Sequence, residues 1–288
     1  MKEKIGYFSD VHSNLWAMEA MRAVVQSRQD GWEWYFGGDV VGWLFQPIEC
    51  VKLLMSMMVG GLIKEAVAGN HDLLAFDAFP DLPNQTARKI ATAFSAGALS
   101  REPESRQFLA GLPLLIDLPK AGCVVTHHSP FCLPQPGENP TIDHFQYLSQ
   151  DFEPQLAAWA QCQWPVILSG HDHIPAVHRV RAGLEHPTLD DVVTSFLSVI
   201  DASLTVAIEP GYYYWVQSGA AGGPPRDGVM MLNWVELAPG ERIILSRVPF
   251  ETSGLKELIE RQPFGSLLDW GRFVAKTDKS IAQGRAKM

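Results

Sequence analysis

The sequence predicts an α/β protein whose first part is a parallel sheet of βαβ units and whose last third is mostly β. Two observations predict this. Short apolar runs alternate with amphipathic stretches over roughly the first 70 residues. After residue 175, strand-like runs follow one another with no helical pattern between them.

Lys4 to Ser9 is short and apolar and ends at Asp10, the pattern of a buried strand followed by a loop. In the next stretch, Leu15 to Gln29, the residues Leu15, Met18, Met21, Ala23 and Val25 cover one side of a helix. Glu33 to Gly37 is a second strand, ending at Gly38-Asp39, and Pro47 to Val59 is a helix with proline near its start. Ala66 to Ala68 is a third strand, ending at Gly69-Asn70.

The stretch from Ala75 to Gly111 breaks this alternation. It holds an Ala-rich helix over 86–99 and a second over 103–109, and it reads as a helical cap inserted over a site. Gly122 to Thr126 is a strand ending at His127, and a Pro/Gly-rich loop runs from Pro130 to Pro140. A helix near Pro154 to Gln161 leads into the strand Pro165 to Ser169, which ends at Gly170-His171. Further strands are predicted over Ala176–Arg181, Leu204–Ala207, Tyr212–Val216, Val229–Glu236 and Ile243–Val248. From Leu184 to Ser203 the pattern is ambiguous, and the tail after Asp278 has little apolar content and is predicted to be mobile. The expected organisation is one domain over 1–250, with an insertion at about 75–111, and a C-terminal extension over 251–288.

Hydrophobic residues make up 47% and charged residues 19%, which permits an ordinary globular core. The net charge is −9 and no basic stripe offsets it, which argues against nucleic acid as a partner. The best apolar run, Val51 to Ile63, is too short to span a bilayer and carries Lys52, so no membrane span is expected. The N-terminus enters a strand pattern at once, which predicts no signal peptide. Cys50, Cys123, Cys132 and Cys162 make no Cys-x-x-Cys pair and read as reduced thiols of a cytoplasmic protein.

Polar residues stand just past nearly every predicted parallel strand: Asp10 and His12, Asp39, Asn70 and His71, His127, His171 and His173. Strand C-termini gather along one edge of an open α/β sheet, where ligands bind. Residues far apart in sequence should therefore converge there. Mixed nitrogen and oxygen donors suit metals such as Mn, Fe, Zn, Ni or Mg rather than thiolate-seeking ones. Taken singly, Asp39 fits turn chemistry after two glycines, Asn70 fits a helix cap, and His171 and His173 fit an ordinary turn. The weight lies in five motifs occurring in order, each at a strand end.

Asp10-Val-His12, Gly38-Asp39-Val-Val-Gly42, Gly69-Asn70-His71-Asp72, His127 and Gly170-His171-Asp172-His173 resemble the ordered motif set of the calcineurin-like metallophosphoesterases. The run Gln217-Ser-Gly-Ala-Ala-Gly-Gly-Pro-Pro-Arg226-Asp-Gly228 is similar to a loop of that superfamily's small prokaryotic phosphodiesterase branch. It departs from the branch in lacking Asn-Pro before Ser-Gly. The resemblance implies a four-layer α/β/β/α sandwich of two mixed sheets, the metallo-dependent phosphatase fold. It implies two divalent metal ions, with Mn the one most usable in vitro. Asp10, His12, Asp39 and His173 would hold the first ion; Asp39, Asn70, His127 and His171 would hold the second, with Asp39 bridging. The implied reaction is hydrolysis of a phosphodiester, with some monoesterase activity, by a metal-bridging hydroxide. His71 would be the general acid that protonates the leaving group.

The implied substrate is a small phosphoester, with nucleotide-derived ones included. Arg226 and His128 are candidate substrate contacts, and Asn14 is a candidate both for phosphate contact and for capping the helix that follows. Asp172 stands where the branch has Thr and reads as a partner of the ligands rather than a ligand. Trp16, Trp32, Trp34, Trp43 and Tyr212 to Trp215 read as core and sheet packing. The alternative from another class is a catalytically silent scaffold of the same fold. All seven ligand positions and His71 are present, which argues for the enzyme. The sequence leaves the oligomeric state open.

Overall fold

The computed structural model describes residues 4–28, 31–76, 86–135, 138–226 and 230–262. The elements in chain order are β1 (Lys4–Phe8), α1 (Leu15–Ser27), β2 (Trp32–Phe36), α2 (Pro47–Val59), β3 (Glu65–Ala66), α3 (Asn70–Leu74), α4 (Thr86–Leu99) and α5 (Pro103–Ala110). They continue with β4 (Leu115–Leu118), β5 (Cys123–Thr126), α6 (Leu148–Ala160), β6 (Val166–Ser169), β7 (Pro175–Arg181), β8 (Val193–Phe196), β9 (Ser203–Ala207), β10 (Tyr212–Ser218), β11 (Leu232–Ala238), β12 (Arg242–Val248) and α7 (Ser253–Glu260).

The strands form two six-stranded mixed sheets, in the orders β3-β2-β1-β11-β12-β9 and β4-β5-β6-β10-β7-β8. Within the first, β1 runs parallel to β2, with Lys4 opposite Trp32, and antiparallel to β11. Within the second, β5, β6 and β10 are mutually parallel. The alternation of side chains along each strand divides the core into layers. Ile5 and Tyr7 of β1, with Val235, Leu237, Ile243 and Leu245, meet Cys123, Val125, Leu168, Tyr214 and Val216 between the two sheets. Phe8, Trp34 and Phe36 point the other way, onto Met18, Met21, Val51 and Leu54 of α1 and α2. On the far side, Val124, Ile167 and Trp215 pack against Leu156 and Trp159 of α6. The result is the expected α/β/β/α sandwich. Each large apolar side chain buried in this way stabilises the fold by about 1.5–3 kcal/mol. Gly6 belongs to this packing: a Cβ there would come within 2.3 Å of the Trp34 ring.

The sequence reading differs from the structure at identifiable places. Helix α6 starts at Leu148 and carries Pro154 in its interior, whereas the reading began it at Pro154. Its first turn is held by a distant residue, since Leu148 N–H donates to Asp172 Oδ2 at 2.9 Å. Strand β8 lies in the ambiguous 184–203 stretch. Among the described residues it pairs with β7 alone, and it exposes Val193 and Phe196, so its residues lack the alternation of a half-buried strand. Strand β4 and the short helix α3 were not anticipated. Helix α7 occupies the start of the C-terminal extension and buries Leu255 and Ile259 against Leu44, Phe45 and Met230. Strand β11 reaches Ala238; the predicted start at Val229, residues 77–85 of the insertion and the tail from 263 lie outside the described residues. Of the described insertion, α4 and α5 rest on α2, and Phe94 of α4 meets Phe45 edge to face at 5.4 Å.

The C-termini of β1, β2, β3, β5, β6 and β10 all deliver loops to one edge of the sandwich, and those loops carry the motif residues.

Candidate metal centre

The loops after β1 and β2 are joined backbone to backbone. Asp10, His12 and Ser13 N–H donate to the carbonyls of Gly38, Asp39 and Val40 at 3.0, 2.9 and 2.8 Å. The Gly-rich run after β10 straps onto the first loop, with Ala221 N–H donating to Ser9 O and Gly222 and Gly223 N–H to Asp10 O. A Cβ at Gly223 would lie 2.2 Å from His12 Cδ2, so the run keeps its tight course despite its departures from the branch pattern. Among the described residues, the non-glycine positions with positive φ are Asp10, His12, Ser13, Asp39, His171 and His173, at 53° to 65°. This left-handed conformation costs roughly 1–2 kcal/mol per residue, though Asp and His tolerate it better than most. Five of the six are predicted ligands, so the backbone strain of the fold is concentrated where the donors must converge.

The donors do converge. Asp10, His12 and His173 form one group with atoms within 4.8 Å of one another; Asp39, His127 and His171 form another; His12, Asp39 and His71 form a third between them. Asp10 Oδ1 is 3.1 Å from His173 Nε2, and Asp39 Oδ2 is 3.3 Å from His127 Nε2. Asn70 Oδ1 is 3.2 Å from His127 Nε2, and His12 Nε2 is 3.0 Å from His173 Nε2. All of these residues are buried.

Partners behind the donors fix which atom faces inward. His127 Nδ1 lies 2.8 Å from Gly37 O, His173 Nδ1 lies 2.7 Å from Pro224 O, and His171 Nε2 lies 3.0 Å from Phe145 O. Each ring keeps its other nitrogen for the site. Asp39 Oδ1 accepts the N–H of His71 at 2.7 Å, leaving Oδ2 to the histidines. Asp10 Oδ2 accepts from Ser9 Oγ and, at 3.0 Å, from His171 N–H. A buried cluster of two carboxylates, an amide oxygen and imidazoles with matched outer partners fits divalent cations.

Electrostatics of the metal-free protein agree. Burial would lift the Asp10 and Asp39 carboxyls, but His173 and His127 hold the first well below its usual range, and His127 and His71 hold the second there. Burial disfavours a charged His127 ring, yet Asp39 and Asp10 outweigh it and raise its pKa to about 10. Burial, with His127 and His128 beside it, pushes His171 down, so that ring is neutral. His127 is therefore protonated at neutral pH without metal and must lose that proton to ligate. Calorimetric titration of Mn²⁺ into the metal-free protein at pH 7, in buffers of different ionisation enthalpy, should show roughly one proton released as the cation beside His127 binds. No buffer dependence would contradict the charged His127.

Asp72 and Tyr147, which local sequence pattern gives no role, stand beside the predicted ligands. Asp72 accepts the N–H of Asp39, Gly69 and Val41 at 2.8, 2.9 and 3.1 Å, tying the second motif to the third. Burial, then Asp39, raises its carboxyl to about 7. Tyr147 stacks flat on His171, with ring centroids 4.4 Å apart and planes at 10°. Asp172 accepts from Leu148 N–H at 2.9 Å and from Gln217 Nε2, groups outside the predicted ligand set, and so ties the start of α6 to β10. The Asp-x-His pattern hides these roles, because the residues they touch are distant in the chain.

The substrate candidates separate. Arg226 lies 3.9 Å above the Tyr147 ring and 3.8 Å from Asp172 Oδ1, with its side chain 35% exposed. His128 is buried against Phe145, with ring centroids 4.4 Å apart, and burial lowers its pKa to about 3. Asn14 takes the capping role of the two open to it. Its Oδ1 accepts Ala17 N–H at 3.2 Å and its Nδ2 donates to Gly222 O at 2.9 Å.

No family model matches the chain. It is 27% identical over 234 residues to an uncharacterised protein of Methanocaldococcus jannaschii, covering 80% of each. Its structure is similar to that of a metallophosphoesterase from Sphaerobacter thermophilus, with a TM-score of 0.69 and 25% identity over 95% of this chain and 99% of that one. A hypothetical protein from Pyrococcus horikoshii shares the fold at a TM-score of 0.58 and 16% identity, over 89% and 92% of the two chains. The fold and the order of the motifs are consistent with the resemblance to the calcineurin-like metallophosphoesterases. Among the described residues, no helix is long and apolar enough to cross a membrane.

Proposed function

We propose that this chain is a dinuclear-metal-dependent phosphoesterase that hydrolyses a small phosphodiester, with monoesters as secondary substrates. The observation that carries the reading is the meeting of two donor groups, Asp10–His12–His173 and Asp39–His127–His171, in one buried cluster. Asp39 would bridge the ions, and Asn70 would complete the second set. Two bound divalent cations would supply a water made acidic enough to attack near neutral pH, and would neutralise phosphate charge.

The chain's own residues do the rest. The outer partners of His127, His171 and His173 hold those rings in one orientation. His71, 7% exposed and held through its backbone by Asp39, is the group that gives the leaving oxygen its proton. Arg226 is partly exposed on Tyr147 beside His171, where its fork can bind a phosphate oxygen. His128, neutral and buried behind His171, shapes the floor of that side. Nucleotide-derived phosphoesters are within the proposed substrate range. The 75–111 insertion is proposed as a cap, and the cytoplasmic placement as following from four cysteines without a Cys-x-x-Cys pair.

The test is hydrolysis of a chromogenic phosphodiester and a chromogenic phosphomonoester, with Mn²⁺ and then with chelator. Chelator-sensitive turnover that favours the diester is expected. A preference for the monoester would make the protein a phosphatase. Silence on both with metal bound would favour a scaffold of this fold.

A further inference from the structure

The loop that carries Asp39 continues through Gly42 to Trp43, Leu44 and Phe45. Gly42 has a φ of +129°, and a Cβ there would lie 2.7 Å from His12 Nδ1 and 2.9 Å from His71 Nδ1. The chain therefore passes against the two imidazoles at that point, and only glycine fits. The next residue, Trp43, places its ring 5.8 Å from the His71 ring at 42° and remains partly exposed. Leu44 and Phe45 are buried with Met230 and the α7 residues Leu255 and Ile259, and Phe45 meets Phe94. The indole is thus held at the site from both ends of a short, anchored segment. Trp16, Trp32, Trp34, Trp159, Trp164, Trp215 and Trp234 pack into the apolar clusters of the core, and Trp43 is partly exposed beside His71.

We propose that Trp43 is a stacking platform for a planar leaving group, an aryl or nucleoside moiety of the phosphoester. The inference rests on the reading of His71 as the acid on the leaving-group side, because what borders that acid borders the departing alcohol. A planar group stacks on an indole with little dependence on its substituents, which favours aromatic over small alkyl leaving groups.

The test uses the metal-loaded full chain and its Trp43→Ala and Trp43→Phe variants. Hydrolysis of diphenyl and diethyl phosphate, and of phenyl and ethyl phosphate, is compared. Binding of the non-hydrolysable phenylphosphonate and ethylphosphonate is measured by calorimetry. Trp43→Ala should lose roughly tenfold in kcat/KM on the phenyl esters and leave the ethyl esters within a factor of about two, while Trp43→Phe keeps most of the phenyl preference. Phenylphosphonate affinity should fall in step, and ethylphosphonate affinity should not. Equal losses on phenyl and ethyl compounds, or none, would overturn the platform. If no ester is turned over, the phosphonate comparison decides by the same criterion. His71→Ala, assayed in parallel, reports on the acid separately: lost turnover there together with equal phenyl and ethyl losses in Trp43→Ala refutes the platform alone.

Discussion

Replacing His71 by alanine is expected to lower turnover about 100- to 10,000-fold, the usual range for a general acid, while metal content stays at the wild-type value. The geometry makes this a sharp test, because His71 also stands within ligating reach. Its ring meets His12 edge to face at 4.9 Å, and it forms a donor group with His12 and Asp39. The two roles predict different losses. An acid leaves both cations in place and takes away the proton supply. Its removal should matter least for a leaving group that departs readily as an anion, so a nitrophenyl ester should suffer less than an alkyl ester. A ligand instead removes part of the metal. Metal analysis of His71→Ala beside its kinetics separates them: a lost equivalent of metal assigns His71 to the ligands, and unchanged turnover removes it from the chemistry.

Asp39→Asn is expected to lower occupancy at both metal positions, with affinity falling by more than the roughly 10- to 100-fold that loss of an outer-shell partner costs. Asp39 is the residue on which the site turns. One oxygen accepts the His71 N–H at 2.7 Å, the other faces His127 at 3.3 Å and His12 at 3.6 Å, and its backbone N–H is held by Asp72. It also holds the proton on His127 in the metal-free protein. The amide keeps nearly the same volume and loses the charge, so folding should survive and metal should not. Circular dichroism together with metal analysis of the purified variant checks both. Full occupancy at both positions would end the bridging role.

Most of this site was legible as a list and almost none of it as a shape. Each donor sits one to four residues past an apolar run, so strand periodicity and short polar motifs sufficed to nominate Asp10, His12, Asp39, Asn70, His71, His127, His171 and His173. The bonds that aim them are long-range. Asp72 reaches back 33 residues to Asp39, and Asp172 caps a helix that starts 24 residues earlier at Leu148. Tyr147 stacks on His171 from a segment in which the sequence reading placed no element. Nor could the positive φ at five of these residues be read from residue type, since it follows from loops that bond one another.

By itself, then, the sequence determined the classes of element, the order of the motifs and the chemistry of the donors, because each depends on residues close together in the chain. Only the tertiary structure decided which nitrogen of each histidine faces the site, where α6 begins, that Asn14 caps a helix, and that Trp43 stands beside His71. Those outcomes depend on contacts between segments brought together by the packing of the two sheets, and no local pattern encodes the partner on the other side of such a contact.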